Sequence, residues 1–106
     1  MGHPQRLDAL PMPRGGPRLR TPDRKLNQIG VRVRERRHEQ ALEQDALCAR
    51  VALATDGEWN PAWQDVSRIE NGARMVSDLE VLALARALDC DPGWLLTGVA
   101  ARASAP

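Results

Sequence analysis

Apolar positions between residues 26 and 98 fall into helical stripes separated by turn signals. Leu26, Ile29 and Val33 have the 3, 4 spacing of an inward face and predict a first helix from about Leu26 to Gln40. A second stripe, Leu47, Cys48, Val51 and Ala52, predicts a helix from Glu43 or Gln44 to about Ala54. Thr55-Asp56-Gly57-Glu58-Trp59-Asn60 reads as a turn, with Asp-Gly as its punctuation and Trp59 exposed. A third helix is predicted over Pro61–Asn71. Asn60 suits its N-cap, Pro61 its first position and Gly72 the position just past its end. Ala62, Val66 and Ile69 fall at i, i+4 and i+7, one buried stripe that leaves Trp63, Gln64, Asp65 and Arg68 on the other side.

The next helix is announced by Ser77-Asp78-Leu79-Glu80, a capping box in which Ser and Glu satisfy each other's end groups. Val81, Leu84, Ala85 and Leu88 mark its stripe, and Leu79 and Leu82 are expected to widen it. A short last helix starts at Asp91 as N-cap with Pro92 in the first position, carries Trp94, Leu95 and Leu96, and ends at Thr97-Gly98. The chain has 106 residues, no Phe and no Tyr. Leu, Val, Ala and three Trp must therefore build the core, which suits packed helices better than a sheet. The expected fold is all-α: a single compact domain of five helices over residues 26–98.

Residues 1–25 differ in kind. They hold five of the eight prolines and three glycines and few apolar residues, so they cannot bury enough surface to offset ordering entropy. They are expected to be a disordered tail, either a solvated leader or a basic arm lying along DNA. Residues 99–106 are expected to fray. Charge divides the chain in the same way. Residues 1–27 carry six basic against two acidic side chains, while residues 28–98 carry eight arginines against twelve acidic groups. A domain that binds nucleic acid usually shows a basic footprint, so the placement of these few arginines has to matter. No apolar run approaches a membrane span and the N-terminus has no signal-peptide core, which points to the cytoplasm. Cys48 and Cys90 have no metal-ligand spacing and read as reduced core residues.

Catalytic chemistry finds no support. His3 and His38 form no site with anything, no nucleophile–base or paired-carboxylate arrangement has context, and no Gly-rich loop follows a strand. Neither an enzyme, a cofactor nor a metal is expected. A short, cleanly capped helix that exposes Gln and Arg is, in contrast, a tool for reading base edges in the DNA major groove. Gln64 can pair bidentately with adenine and Arg68 with guanine. Arg68 has two other readings, a phosphate contact or a pair with Asp65 at i, i+3. Trp63 is placed either to touch a thymine methyl or to cover the core beneath the long turn. Asp65 shares the same face. Asn71 and Arg74, just past the helix, are candidates for phosphate, and Asn71 fits a local cap equally well.

Leu42-Glu43-Gln44-Asp45-Ala46-Leu47, Val66-Ser67-Arg68-Ile69-Glu70-Asn71-Gly72, and Leu84-Ala85-Arg86-Ala87-Leu88 followed by Trp94-Leu95-Leu96 occur in order. In that order and spacing the chain resembles the λ-repressor-like helix-turn-helix domains of phage repressors and Xre-type bacterial regulators. The resemblance covers about residues 28–98. It implies that Gln44, at the start of the second helix, holds a DNA phosphate, as backbone N–H groups do at helix starts. It also implies a salt bridge between Arg37 and Glu70 that fixes the recognition helix, and a dimer surface on the last helix formed by Pro92, Trp94 and Val99. Trp94 fits the monomer core equally well. Two departures stand out. The stretch between Val51 and Val66 is about eight residues longer than the family's tight turn requires, and Glu43 replaces the usual small cap before Gln44. The resulting expectation is a sequence-specific DNA-binding regulator, a repressor acting as a homodimer on a palindromic operator. The rival is a protein-interaction module, such as an antitoxin that masks a protein partner through its acidic surface and the Trp59 loop, a role that can coexist with binding its own operator.

Overall fold

The computed structural model describes residues 18–99. Most of the expected tail, residues 1–17, and residues 100–106 of the expected frayed end lie outside the described residues. The described residues form five helices and no strand: α1 (Gly30–Glu39), α2 (Gln44–Ala54), α3 (Trp63–Glu70), α4 (Asp78–Leu88) and α5 (Pro92–Thr97). Helix α4 packs against α1, α2 and α5, and α3 sits between α1 and α2. The core is aliphatic, built from Ile29, Val33, Leu47, Val51, Val66, Ile69, Val81, Leu84, Leu88 and Leu95, with Trp94 as its one buried ring.

Two helices start later than their patterns predict. Spacing places the start of α1 at Leu26, but it begins at Gly30. Asn27 is the reason. Its Oδ1 accepts from the N–H groups of Ile29 (3.1 Å) and Gly30 (2.8 Å), a local bond that serves a helix start and competes with helix before it. Helix α3 begins at Trp63 instead of Pro61. Asn60 is not its cap; the Asn60 amide donates to Gly57 O (3.3 Å) within the preceding turn. Ala62 takes the cap position in extended backbone and is exposed, so it leaves the predicted stripe, while Val66 and Ile69 stay buried. The first-turn carboxylate of Asp65 accepts from Ala62 N–H (3.0 Å) and closes half of a capping box.

The long connection is ordered by its own side chains. The Thr55 hydroxyl accepts from Trp59 N–H (3.1 Å), and Gly57, at φ 83°, lets its N–H return to Ala52 O (2.8 Å). Trp59, expected to be exposed, packs half-buried against the core, with the Arg74 guanidinium 6.0 Å from its ring centroid. Pro61 is buried.

The last two helices follow their caps. Ser77 Oγ accepts from Glu80 N–H and Glu80 Oε1 from Ser77 N–H, both at 3.1 Å. Leu79 and Leu82, expected to widen the α4 stripe, remain exposed instead. Asp91 Oδ2 accepts from Trp94 N–H (2.9 Å), and Gly98, at φ 77°, ends α5. Cys48 and Cys90 form no disulfide and pack half-buried against the core.

Arginines join these helices at their carbonyl ends, where backbone acceptors lack intrahelical donors. Arg36 donates to Leu88 O and Asp89 O past the end of α4, both at 3.0 Å. Arg32 donates to Leu95 O (2.8 Å) and Leu96 O (3.0 Å) in α5, and Arg86 to Ala54 O (3.3 Å) at the end of α2. Much of the positive charge that composition offered for a ligand is spent on the fold itself.

Candidate nucleic-acid interface

Glu70, the last residue of α3, organises the interface. Its residue surface is 5% exposed. The Arg37 fork grips it through Nε to Oε2 (2.7 Å) and Nη2 to Oε1 (2.9 Å). Arg34 Nε approaches Oε1 at 3.4 Å, and Gln44 Nε2 donates to the same oxygen at 3.2 Å. Arg37 Nη1 also donates to Leu42 O (2.7 Å). One carboxylate thus ties α3 to α1 and to the first residue of α2. Burial pushes the Glu70 carboxyl up, but the donors from Arg37, Gln44 and Arg34 outweigh it and hold the group below its ordinary value of 4.5. The hydrogen bonds to Glu70 raise Arg37 in turn. A pair this buried is costly to break from one side, since the survivor keeps an uncompensated charge.

Backbone approaches the same end of α3 from a second direction. Asn27 Nδ2 donates to Ile69 O (3.1 Å) and Arg74 O (2.9 Å). Gly30 lies so near that a Cβ there would collide with Ile69 O and come within 2.8 Å of Glu70 O. Sequence reasoning missed Asn27, Gly30 and Arg34. Arg34 alone carried a signal, being one helical turn from Arg37 on the same face.

With its back fixed, α3 presents Trp63 (49% exposed), Gln64 and Arg68 outward. The Arg68 guanidinium rests on Asp65 Oδ1 at 2.9 Å, so in the unbound chain the local pair is formed. Asp65 is half-buried and engaged twice, by Ala62 N–H and by Arg68. Trp63 borders an open groove of about 420 Å³ with Arg37, His38, Glu43, Gln44 and Asp45, between the starts of α2 and α3. It is the exposed Trp63, not the half-buried Trp59, that faces outward here.

The phosphate candidates divide. Gln44 stands at the helix start but spends its amide on Glu70. Asn71 is exposed, and its Oδ1 accepts from Arg34 Nη2 (3.2 Å). Arg74 is turned inward. It donates to both Glu80 oxygens (3.0 and 3.2 Å) and to Met75 O (2.8 Å), besides lying over Trp59. It braces the long connection against the start of α4. Of the residues expected at a dimer surface, Val99 is exposed and Pro92 half-buried, whereas Trp94, 7% exposed, is part of the core.

Residues 65–95 match the helix-turn-helix family model. The matched stretch, less than a third of the chain, is similar to that family. The match opens inside α3, just past the long connection, and runs into α5. It supports a DNA-binding regulator in general terms. No curated protein and no solved structure matches the chain. No helix among the described residues is long and apolar enough to cross a membrane.

Proposed function

We propose that this helix-turn-helix domain is a sequence-specific DNA-binding transcriptional regulator, acting in the cytoplasm as a repressor, with α3 in the major groove. The observation that carries the reading is the two-sided character of α3. Its back is locked to α1 and α2 through Glu70, while Gln64 and Arg68, side chains able to read adenine and guanine edges, stand on its front. Asp65 sets the starting position of Arg68 and releases it to a base or phosphate on contact. Trp63 offers an apolar surface beside them, suited to a thymine methyl.

The partner is double-stranded DNA, and the active species is a homodimer on a palindromic operator. Two copies joined through Pro92, Val99 and the exposed part of α5 would place their α3 helices one helical turn of DNA apart, about 34–36 Å. Trp94 supports that surface from beneath, as core. Neither a metal nor a cofactor enters the reading, and the function is binding, not catalysis. The antitoxin-like alternative rested on the acidic surface and the Trp59 loop; Trp59 packs half-buried against the core, which leaves that alternative chiefly the acidic surface.

Selection of bound sequences from a random duplex pool tests the proposal. Enrichment of a two-fold symmetric motif is expected, with a dimer on DNA by sedimentation. A pool that gains no motif over successive rounds would overturn it.

A further inference from the structure

The arginines of the helical domain are largely committed. Arg32, Arg36 and Arg86 cap carbonyl ends, Arg37 holds Glu70, Arg74 holds Glu80, and Arg50 donates to Gln40 (2.7 Å). Yet phosphate neutralisation by Lys and Arg supplies most non-specific DNA affinity. Among the described residues, the turn that precedes α1 brings further positive charge beside α3.

Residues 21–25 are docked. Arg24 N–H donates to Thr21 O (2.8 Å), and the Thr21 hydroxyl accepts from Lys25 N–H (2.8 Å). Leu26 N–H donates to Gly72 O (2.9 Å), which fastens the turn to the chain just past α3. The stem of Lys25 lies over Gly72 so closely that a Cβ there would come within 2.7 Å of Lys25 Cδ. Between this turn and α1 lies an open groove of about 390 Å³, bordered by Thr21, Lys25, Arg34 and Asn71 among others. The Arg34 side chain is 49% exposed, and its bond to Asn71 Oδ1 fixes that amide with the NH₂ group left to donate. Two carboxylates share the lining. Glu70 is balanced by Arg37, and Asp23 accepts from the Thr21 hydroxyl, which holds its carboxyl below the ordinary range.

We propose that this groove seats a backbone phosphate of the duplex that α3 reads, held by Lys25, Arg34 and the Asn71 amide. The inference rests on the DNA reading and adds a sequence-independent contact at the far end of α3. It assigns the docked turn a role in affinity and leaves base choice to Gln64 and Arg68.

The test uses the full chain, a short duplex of random sequence, and binding isotherms across a salt series for wild type, Lys25→Gln, Arg34→Gln and the double variant. Each single variant is expected to lose several-fold in affinity and to flatten the slope of log affinity against log salt by about 1, and the double variant by about 2. Lys25→Arg keeps the charge and should keep the slope. Thermal melts report folding separately. Slopes unchanged in Lys25→Gln and Arg34→Gln would overturn the groove while leaving α3 as the reader, as would affinity lost only in step with the melting temperature. A wild-type chain that binds no duplex at all would overturn both readings.

Discussion

The C-terminal end of α3 is gripped from several directions: the Arg37 fork on Glu70, the Asn27 amide on Ile69 O, and α1 backbone pressed close at Gly30. Its N-terminal end is held more lightly, by a loop with one packed tryptophan and a half-built capping box on Ala62. The difference explains how the domain accepts a long connection. Extra residues enter where the helix is loosely held, and the distal anchor still sets its position against α1. An insertion at the other end would have to break buried hydrogen bonds to a charge, which cost more than a loop does.

The largest way to break this comparison is to remove the anchor. Glu70→Ala is expected to destabilise the domain by about 3–5 kcal/mol, because Arg37 keeps its charge with no carboxylate to meet it. Arg37→Ala should cost a similar amount, and the double variant less than the two together, since contacting residues couple by about 0.5–3 kcal/mol. Denaturant unfolding of the four proteins measures this. Strict additivity would separate the pair and unfasten α3 from α1.

Gly30→Ala comes next. Its methyl would push against backbone atoms of Ile69 and Glu70, which cannot rotate away as a flexible side chain would. A loss of about 1–3 kcal/mol is expected, as for other overpacked sites. A neutral result would mean that α1 and α3 are not in such close contact.

Acid sharpens the same point. The Glu70 carboxyl titrates below 4.5 when folded, so its contribution is fully present above that value and fades as pH falls through the folded-state value. Unfolding free energies measured over a pH series should fall below pH 4.5 in wild type and fall less steeply in Glu70→Gln. Parallel curves would place the acid sensitivity elsewhere.

The lightly held end should respond in the opposite sense and by less. Ala62 sits at a helix N-cap with Asp65 already bonded to its N–H, so Ala62→Ser supplies the missing acceptor. A gain of up to about 1 kcal/mol is expected in denaturant unfolding. No gain would indicate that this end of α3 departs from capping geometry.

Much of this was legible from the sequence. The capping box at Ser77, the Asp91-Pro92 start of α5, and the stripe of Leu47 and Val51 are local signals, and each element formed where its signal lay. The meeting of Arg37 with Glu70 was implied by resemblance, not by spacing. The misreadings trace to side-chain partners that periodicity does not show. Asn27 and Asn60 spend their side chains on neighbouring turns, so periodicity and proline placement overran the true starts of α1 and α3. Trp59 was expected on the surface because its packing involves Arg74 and a loop with no periodic pattern. Arg74, a phosphate candidate by position, was claimed by Glu80, a partner six residues on that no helical spacing indicates.

The central claim is that the front of the anchored α3 reads bases. It is tested most directly by sequencing the DNA selected from a random pool by wild type, Gln64→Ala and Arg68→Ala. Each variant should keep its melting temperature, keep the outline of the wild-type motif, and lose preference at its own defined positions, by about 1–3 kcal/mol of discrimination. Motifs from both variants that match wild type at every position would contradict the account.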